Sequence, residues 1–167
     1  AILLSSMIVP FIITAAGMFF FYSIIGLTHS YLGLILAHTA LGTPFVVITV
    51  TATLTGFDTN LIRASQSLGA DTMRTFFKII MPLILPGVIS GGLFAFITSF
   101  DEVVVVMFIG SVEQITIPKQ MWAGLRQETS PVILCMATCL VALSIALLTT
   151  VEMLRRKSER IRGSKQI

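Results

Sequence analysis

Long hydrophobic runs separated by polar connections form the dominant pattern of this 167-residue sequence. No Lys, Arg, Asp or Glu occurs before Asp58, and at about 1.5 Å per residue that stretch can cross a hydrocarbon layer of roughly 30 Å twice. Uncharged runs of about 20 residues or more predict four transmembrane helices, over Ile2–Leu27, Tyr31–Thr53, Leu83–Ile109 and Val132–Met153. The sequence therefore predicts an all-α, multi-pass transmembrane bundle over residues 1–154 and a basic tail over 155–167.

Composition and missing motifs exclude several classes of protein. Hydrophobic residues make up 55% of the chain and charged residues 11%, against about 25% charged in soluble domains. The net charge of +3 does not indicate nucleic-acid binding, because the basic residues lie at the ends of apolar spans. No P-loop, zinc helix or catalytic dyad occurs, and Cys135 and Cys139 have no further ligands nearby. We therefore predict that this chain is not an enzyme and holds no cofactor and no metal.

The distribution of basic residues predicts the orientation in the membrane, because Lys and Arg near helix ends are retained in the cytoplasm. Nine of the eleven lie in the connection 57–81 or in the tail. We expect both segments to be cytoplasmic, and the turn 28–30 and the loop 110–131 to face outward. The tail could also contact acidic membrane lipid. Because the sequence begins inside an apolar segment without a leader, we expect further helices ahead of Ala1.

The connection 57–81 has the pattern of two short helices joined at a glycine. Asp58 is a candidate N-cap, with Phe57 and Ile62 as a hydrophobic staple, for a helix that ends at Gly69. Asp71 can cap a second helix over Thr72 to Ile80, which Pro82 should separate from the next span. The apolar residues of the two helices are expected to be partly buried: Leu61, Ala64, Leu68, Met73, Phe76, Phe77 and Ile80. On spacing alone, the pair could lie on the membrane surface or dock in a partner's groove.

The segment from Arg63 to Gly87 resembles the EAA loop in the membrane subunits of binding-protein-dependent ABC importers. Positions that match the loop pattern are Ala64, Leu68, Gly69, Ala70, Phe76, Ile79, Pro82, Pro86 and Gly87. The stretches TPFVVITV and SFDEVVVVMFIG are similar to the spermidine/putrescine permeases in particular. The resemblance implies the MetI-like fold and two additional helices before Ala1. It also implies a bacterial inner-membrane permease without catalytic activity of its own, working with an ATP-binding cassette ATPase, a second permease subunit and an extracytoplasmic solute-binding protein.

The same resemblance implies which residues couple the permease to its ATPase. In the family this loop sits in a cleft of the ATPase subunit, and its leading Glu contributes a polar contact. This chain has Arg63 at that position and Ser65 in place of the second Ala, so the leading contact must differ. The residues expected to couple the two subunits are Arg63, Ala64, Leu68, Gly69, Ala70, Phe76 and Pro82.

Two adjacent acids predict a transport pathway in the third span. Ionisable residues in spans usually face a cavity or a partner, and Asp101 continues a helical stripe with Gly87, Gly91, Phe94, Thr98 and Val105. A carboxylate with an aromatic ring suits the ammonium groups of a polyamine such as putrescine or spermidine. We therefore assign Phe94, Thr98, Asp101 and Glu102 to the pathway. In the alternative interpretation, the acids mark the outer interface or cap an interrupted helix.

Three further features admit more than one role. Gly87 and Gly91 form a pair that lets another helix approach closely. His38 is expected to be a hydrogen-bonded packing residue, although it could line the pathway. Pro10 should kink the first span. Sequence alone also leaves open a secondary carrier or channel without an ATPase, a membrane scaffold, and other solutes such as amino-acid-derived cations, opines or iron complexes.

Overall fold

The computed structural model describes residues 7–127 and 131–163, and these ranges contain helices but no strand. In a membrane, backbone N–H and C=O groups must form their hydrogen bonds within the protein, and helices provide these bonds within one segment. The helices are α1 (Phe11–Ile24), α2 (Tyr31–Thr55), α3 (Asn60–Ser67), α4 (Thr72–Phe100), α5 (Val104–Ile109), α6 (Ile117–Gln127) and α7 (Pro131–Gly163). This arrangement confirms the predicted all-α class.

Three of the described helices are long and apolar enough to cross a membrane: Tyr31–Thr55, Thr72–Phe100 and the Pro131–Thr150 part of α7. The predicted first span is only a 14-residue helix, α1, within the described residues. Pro10 does not kink it but precedes it in an extended conformation (φ −54°, ψ 135°), because proline is best accommodated at a helix start. The part of that span over residues 1–6 lies outside the described residues.

Among the described helices, α2 and α4 form the most extensive contact. Gly91 packs against α2, where an added Cβ atom would lie 2.7 Å from Val46 Cα. Gly42 is the counterpart on α2, since its Cβ would lie 2.9 Å from Ala95 Cβ. Gly87 similarly lies against Thr49 and Thr53. The glycine pair therefore has the close-packing role that small residues usually have between membrane helices.

A second contact region joins α1, α2 and the short helix α5. Its buried residues are Ala15, Tyr22, Leu34, Ala37, Leu41, Val105, Val106 and Ile109. The turn between α1 and α2 contacts the end of α5, since the His29 backbone N–H donates to Ile109 O at 2.8 Å. His29 Nδ1 also lies 3.3 Å from Gly110 O. These contacts place the turn 28–30 and the start of the 110–131 loop at the same end of the bundle.

Helix α4 passes through Pro82, so the predicted separation of two helices at this proline is wrong. A π-helical turn over Phe76–Ile80 lies between α-helical segments Thr72–Thr75 and Met81–Phe100. Within it, the Met81 backbone N–H donates to Phe76 O, five residues earlier. The wider turn accommodates the proline, which lacks an N–H of its own. The result is one 29-residue helix from Thr72 to Phe100.

The predicted third span, Leu83–Ile109, is also not a single helix. It ends at Phe100, resumes at Val104, and has three non-helical residues between, Asp101 to Val103. Asp101 and Val105 therefore do not share one helical stripe. The interruption corresponds to the alternative interpretation of the acidic pair, and its cause lies in the Glu102 side chain.

Candidate coupling surface and transport pocket

The connection between α2 and α4 is an ordered corner whose bend is at Gly69. After α3, Gly69 has φ +78°, a left-handed conformation that glycine adopts at little cost. The Gly69 N–H donates to Gln66 O at 2.9 Å, and the Ala70 N–H donates to Ser65 O at 3.0 Å. These two bonds are those of a Schellman motif, as expected for a helix that a glycine ends.

Two aspartates order the starts of the helices that meet at this corner. Asp71 caps α4, because its Oδ1 accepts the Arg74 N–H at 2.6 Å. Asp58 is one residue further from α3 than predicted: Thr59 is the N-cap residue, and Asp58 Oδ1 accepts the Asn60 N–H at 2.9 Å. The predicted cap at Asp58 is therefore wrong in position, since its carboxylate stabilises a turn that leads into the helix.

The apolar residues of the corner are exposed, so the prediction that they are partly buried is wrong for most of them. We call five of them the corner surface: Leu61, Leu68, Met73, Phe76 and Phe77. Leu68 is 88% exposed and Phe77 58% exposed. A face that nothing covers within the described chain is expected where another molecule or the membrane surface completes it.

The other predicted coupling residues lie around this surface. Arg63, Ala64 and Gly69 are exposed on α3 and at the bend, while Ala70 is half-buried. Pro82 is exposed on α4, beyond the π turn. The chain thus gathers the predicted coupling residues at one corner.

Glu102 causes the interruption between α4 and α5. Its carboxylate accepts the backbone N–H groups of Val104 at 2.9 Å, Val105 at 2.8 Å and Val106 at 3.4 Å. In a continuous helix those three groups would bond to backbone carbonyls four residues earlier. The side chain thus replaces backbone acceptors and caps α5. Glu102 is 8% exposed, and its carboxylate holds the start of α5.

The interruption lies next to a contact between α4 and α2. Ser99 Oγ is 2.9 Å from His38 Nδ1, which joins α4 to α2. Because His38 is seven residues after Tyr31, this level is roughly 10 Å from the start of α2 at about 1.5 Å per residue. Non-helical backbone at such depth is tolerated where protein buries it or where it lines a cavity, and transporters use interrupted helices at binding sites.

A pocket of about 680 Å³ lies beside the interruption. Of the four predicted pathway residues, it contains Thr98, Asp101 and Glu102, but Phe94 does not line it. Asp101 is exposed, and among the described residues its carboxylate forms no hydrogen bond or ion pair. Since Glu102 is engaged by α5, Asp101 is the acid that remains for a ligand.

The aromatic residues near Asp101 come from other helices and were not predicted as pathway residues. Phe11 of α1, Phe108 of α5 and Trp122 of α6 line the pocket with it. Phe94 is predicted to lie there because it is on the same helix as Asp101. The sequence gives only one weak signal for the observed set: Trp122 is the one tryptophan of the chain.

Comparison with known proteins identifies the family of the chain. Residues 2–160 match the family described as "binding-protein-dependent transport system inner membrane component". The match covers nearly all of the sequence, and the chain therefore belongs to this family. The resemblance found from the sequence is thereby confirmed, and with it the interpretation as a membrane component of a transport system.

The relatives include spermidine/putrescine and putrescine transport system permeases. The chain is 32% identical over 152 residues to the spermidine/putrescine transport system permease protein PotC of Haemophilus influenzae, covering 91% of this chain and 59% of the relative. It is 30% identical over 150 residues to PotC of Escherichia coli K12, covering 90% and 57%. It is 32% identical over 106 residues to the putrescine transport system permease protein PotI of that strain, covering 64% and 38%. The chain thus spans less than two thirds of the length of these relatives.

Proposed function

We propose that this chain is part of a permease subunit in an ATP-driven importer of polyamines such as putrescine or spermidine. ATP hydrolysis takes place in a separate ATP-binding cassette subunit, a second permease subunit completes the pathway, and an extracytoplasmic protein delivers the solute. The observation that carries the proposal is the corner surface, an ordered apolar face next to a transmembrane helix. Family membership supports it, because the family's description is of a component that depends on binding proteins.

The corner suits the transmission of force because the surface proposed to bind the ATPase subunit is directly connected to a transmembrane helix. Phe76 and Phe77 belong to the same 29-residue helix as Thr98, so displacement of the corner moves the level of the pocket. Leu61 and Leu68 lie one helix earlier, across the Gly69 bend. In this proposal the corner and the C-terminus are cytoplasmic, which the distribution of Lys and Arg supports.

The pocket beside Asp101 suits a cationic solute. An unpaired carboxylate attracts an ammonium group, and the rings of Phe11, Phe108 and Trp122 offer cation-π contact. An anion would be repelled by the same carboxylate. The names of the relatives, which are spermidine/putrescine and putrescine permeases, support a polyamine over other cations.

Charged substitutions in the corner surface test the proposal. Leu68→Asp and Phe76→Asp should each reduce co-purification of the ATPase subunit by at least about tenfold, since central apolar contacts usually dominate an interface. Gln66→Asp is the matched control, because Gln66 is an exposed polar residue of the same helix as Leu68. If both variants retain the ATPase at the control level, the corner lies on the membrane surface instead and the proposal fails.

Uptake by the assembled importer in liposomes tests the solute. Labelled putrescine or spermidine should accumulate only with ATP, and Asp101→Asn should reduce this uptake by about tenfold or more, as the loss of a close charge contact predicts. Glu113→Gln, which changes an exposed acid outside this pocket, should transport normally. Uptake that needs no ATP and follows an ion gradient would indicate a secondary carrier or channel.

A further inference from the structure

Two hydroxyl groups connect the helices of the corner beneath its exposed surface. Ser65 of α3 and Thr75 of α4 have their oxygens 2.9 Å apart. They are 4% and 3% exposed, and they are the two buried residues between Gly56 and Ile80. The corner thus buries a polar pair while its large apolar residues remain exposed, which reverses the usual distribution.

The direction of this hydrogen bond follows from a second contact. Ser65 Oγ also donates to Ile62 O at 2.8 Å, and a hydroxyl group has only one hydrogen. The Thr75 hydroxyl must therefore donate to Ser65 Oγ. The bonds form a chain from Thr75 through Ser65 to the α3 backbone, and they leave neither buried oxygen unpaired.

Besides this hydrogen-bonded pair, the backbone bonds of Gly69 and Ala70 hold α3 at its angle to α4. Leu61 and Leu68 of α3 and Met73 of α4 are all exposed, so burial of large apolar side chains does not fix the angle. The Gly69 bend sets the path of the backbone, yet glycine is the most flexible residue that a bend can use. The Thr75–Ser65 bond is the side-chain hydrogen bond that crosses the bend.

We propose that Ser65 and Thr75 are positioning residues that keep α3 and α4 moving as one body. Without the hydrogen bond between them, α3 still binds the ATPase subunit. When α3 then moves, the chain bends at Gly69 and α4 does not follow. Ser65 stands where the EAA pattern has its second Ala, so in this chain the departure from the pattern supplies a hydrogen bond. The inference rests on the proposed coupling function of the corner surface.

Thr75→Val is the decisive variant, because it keeps the side chain's shape, removes the donor and leaves the Ser65 bond to Ile62 in place. Thr75→Ser is the matched control that restores the hydroxyl. In the assembled importer, Thr75→Val should speed hydrogen exchange of the Gly69 and Ala70 amides by about fivefold, the effect of one lost hydrogen bond on local opening. Transport per ATP hydrolysed should fall by a similar factor, with ATPase co-purification unchanged.

Ser65→Ala provides a second route to the same result, since it removes the acceptor and leaves Thr75 buried without its partner. The inference is overturned if exchange in Thr75→Val equals that of the wild type, or if exchange rises while transport per ATP stays constant. The proposed function fails separately, if the wild-type assembly itself does not retain the ATPase. The positioning role is supported if Thr75→Val has faster hydrogen exchange and lower transport per ATP, while Thr75→Ser has the wild-type values of both.

Discussion

The two ends of α4 differ from the sequence prediction in opposite ways. Near its start the helix continues through Pro82, with a π turn over Phe76–Ile80. At its other end the helix stops at Phe100, although the two acids are followed by four valines, Val103 to Val106. It stops because Glu102 bonds to the amides of the last three of these valines. A proline that removes one donor can be accommodated by a wider turn. A carboxylate that replaces several backbone acceptors ends the helix.

The strongest test of this comparison removes the carboxylate. Glu102→Ala leaves three buried or half-buried N–H groups of α5 without their acceptor, and we expect it to lower the free energy of unfolding by about 2–4 kcal/mol. The free energy of unfolding of Glu102→Gln should lie between those of the wild type and Glu102→Ala, since the amide oxygen still accepts hydrogen bonds. Thermal unfolding in detergent measures both, with the exposed Glu113→Ala as control. A Glu102→Ala protein as stable as that control would show that α5 needs no cap.

The middle of α4 offers a matched pair of adjacent glycines. Gly91→Ala should cost about 1–3 kcal/mol of stability, because its Cβ would lie 2.7 Å from Val46 Cα and the two helices must separate. Gly92→Ala meets nothing within 4 Å and should be neutral or stabilising by up to about 1 kcal/mol. The same unfolding measurement compares them. Equal effects at the two positions would mean that α2 and α4 do not pack through Gly91.

The bend at Gly69, just before α4, should be moderately sensitive to substitution. Gly69→Ala places a side chain on a residue with φ +78°, which costs about 1 kcal/mol, and hydrogen exchange across α3 should quicken accordingly. Gly56→Ala is the control, since Gly56 has φ −92° and open surroundings. Unchanged exchange in Gly69→Ala would contradict the left-handed bend.

The smallest effect is expected at Pro82. Because the π turn already accommodates this proline, Pro82→Ala should change stability by less than about 1 kcal/mol and leave the helical circular dichroism unchanged. A proline that broke the helix would behave differently, and its removal would add about 3 kcal/mol. A gain of that size would mean that α4 is interrupted at both ends.

Local sequence rules predicted the features that depend on neighbours in the chain. Tyr31 begins α2 as the apolar run indicates, Gly69 and Asp71 end and cap their helices, and Gly87 with Gly91 marks the interface with α2. Each of these depends on backbone conformation or on side-chain size within a few residues. The class of the fold followed from the same patterns, whereas the family followed from the resemblance of the segment from Arg63 to Gly87 to a known loop.

Features that depend on competition between contacts were left open, and features that depend on distant parts of the chain were missed. Whether Glu102 faces a cavity or caps α5 depends on which contact is stronger. A glutamate can fill either role, so the residue type alone does not decide between them. Trp122 joins Asp101 in the pocket from a separate helix, so no spacing along α4 could reveal it. The corner residues are apolar whether they are buried inside the chain or exposed for another molecule, which is why their exposure was not predicted.

The unbroken length of α4 has a mechanical consequence. Twenty-nine residues at about 1.5 Å each form a rod of about 43 Å, and a tilt of about 5° displaces its far tip by about 4 Å. That displacement is comparable to the thickness of an alkyl chain. Slight rocking at Thr72 is therefore enough to widen or narrow the space beside Asp101, and no part of the rod has to unwind.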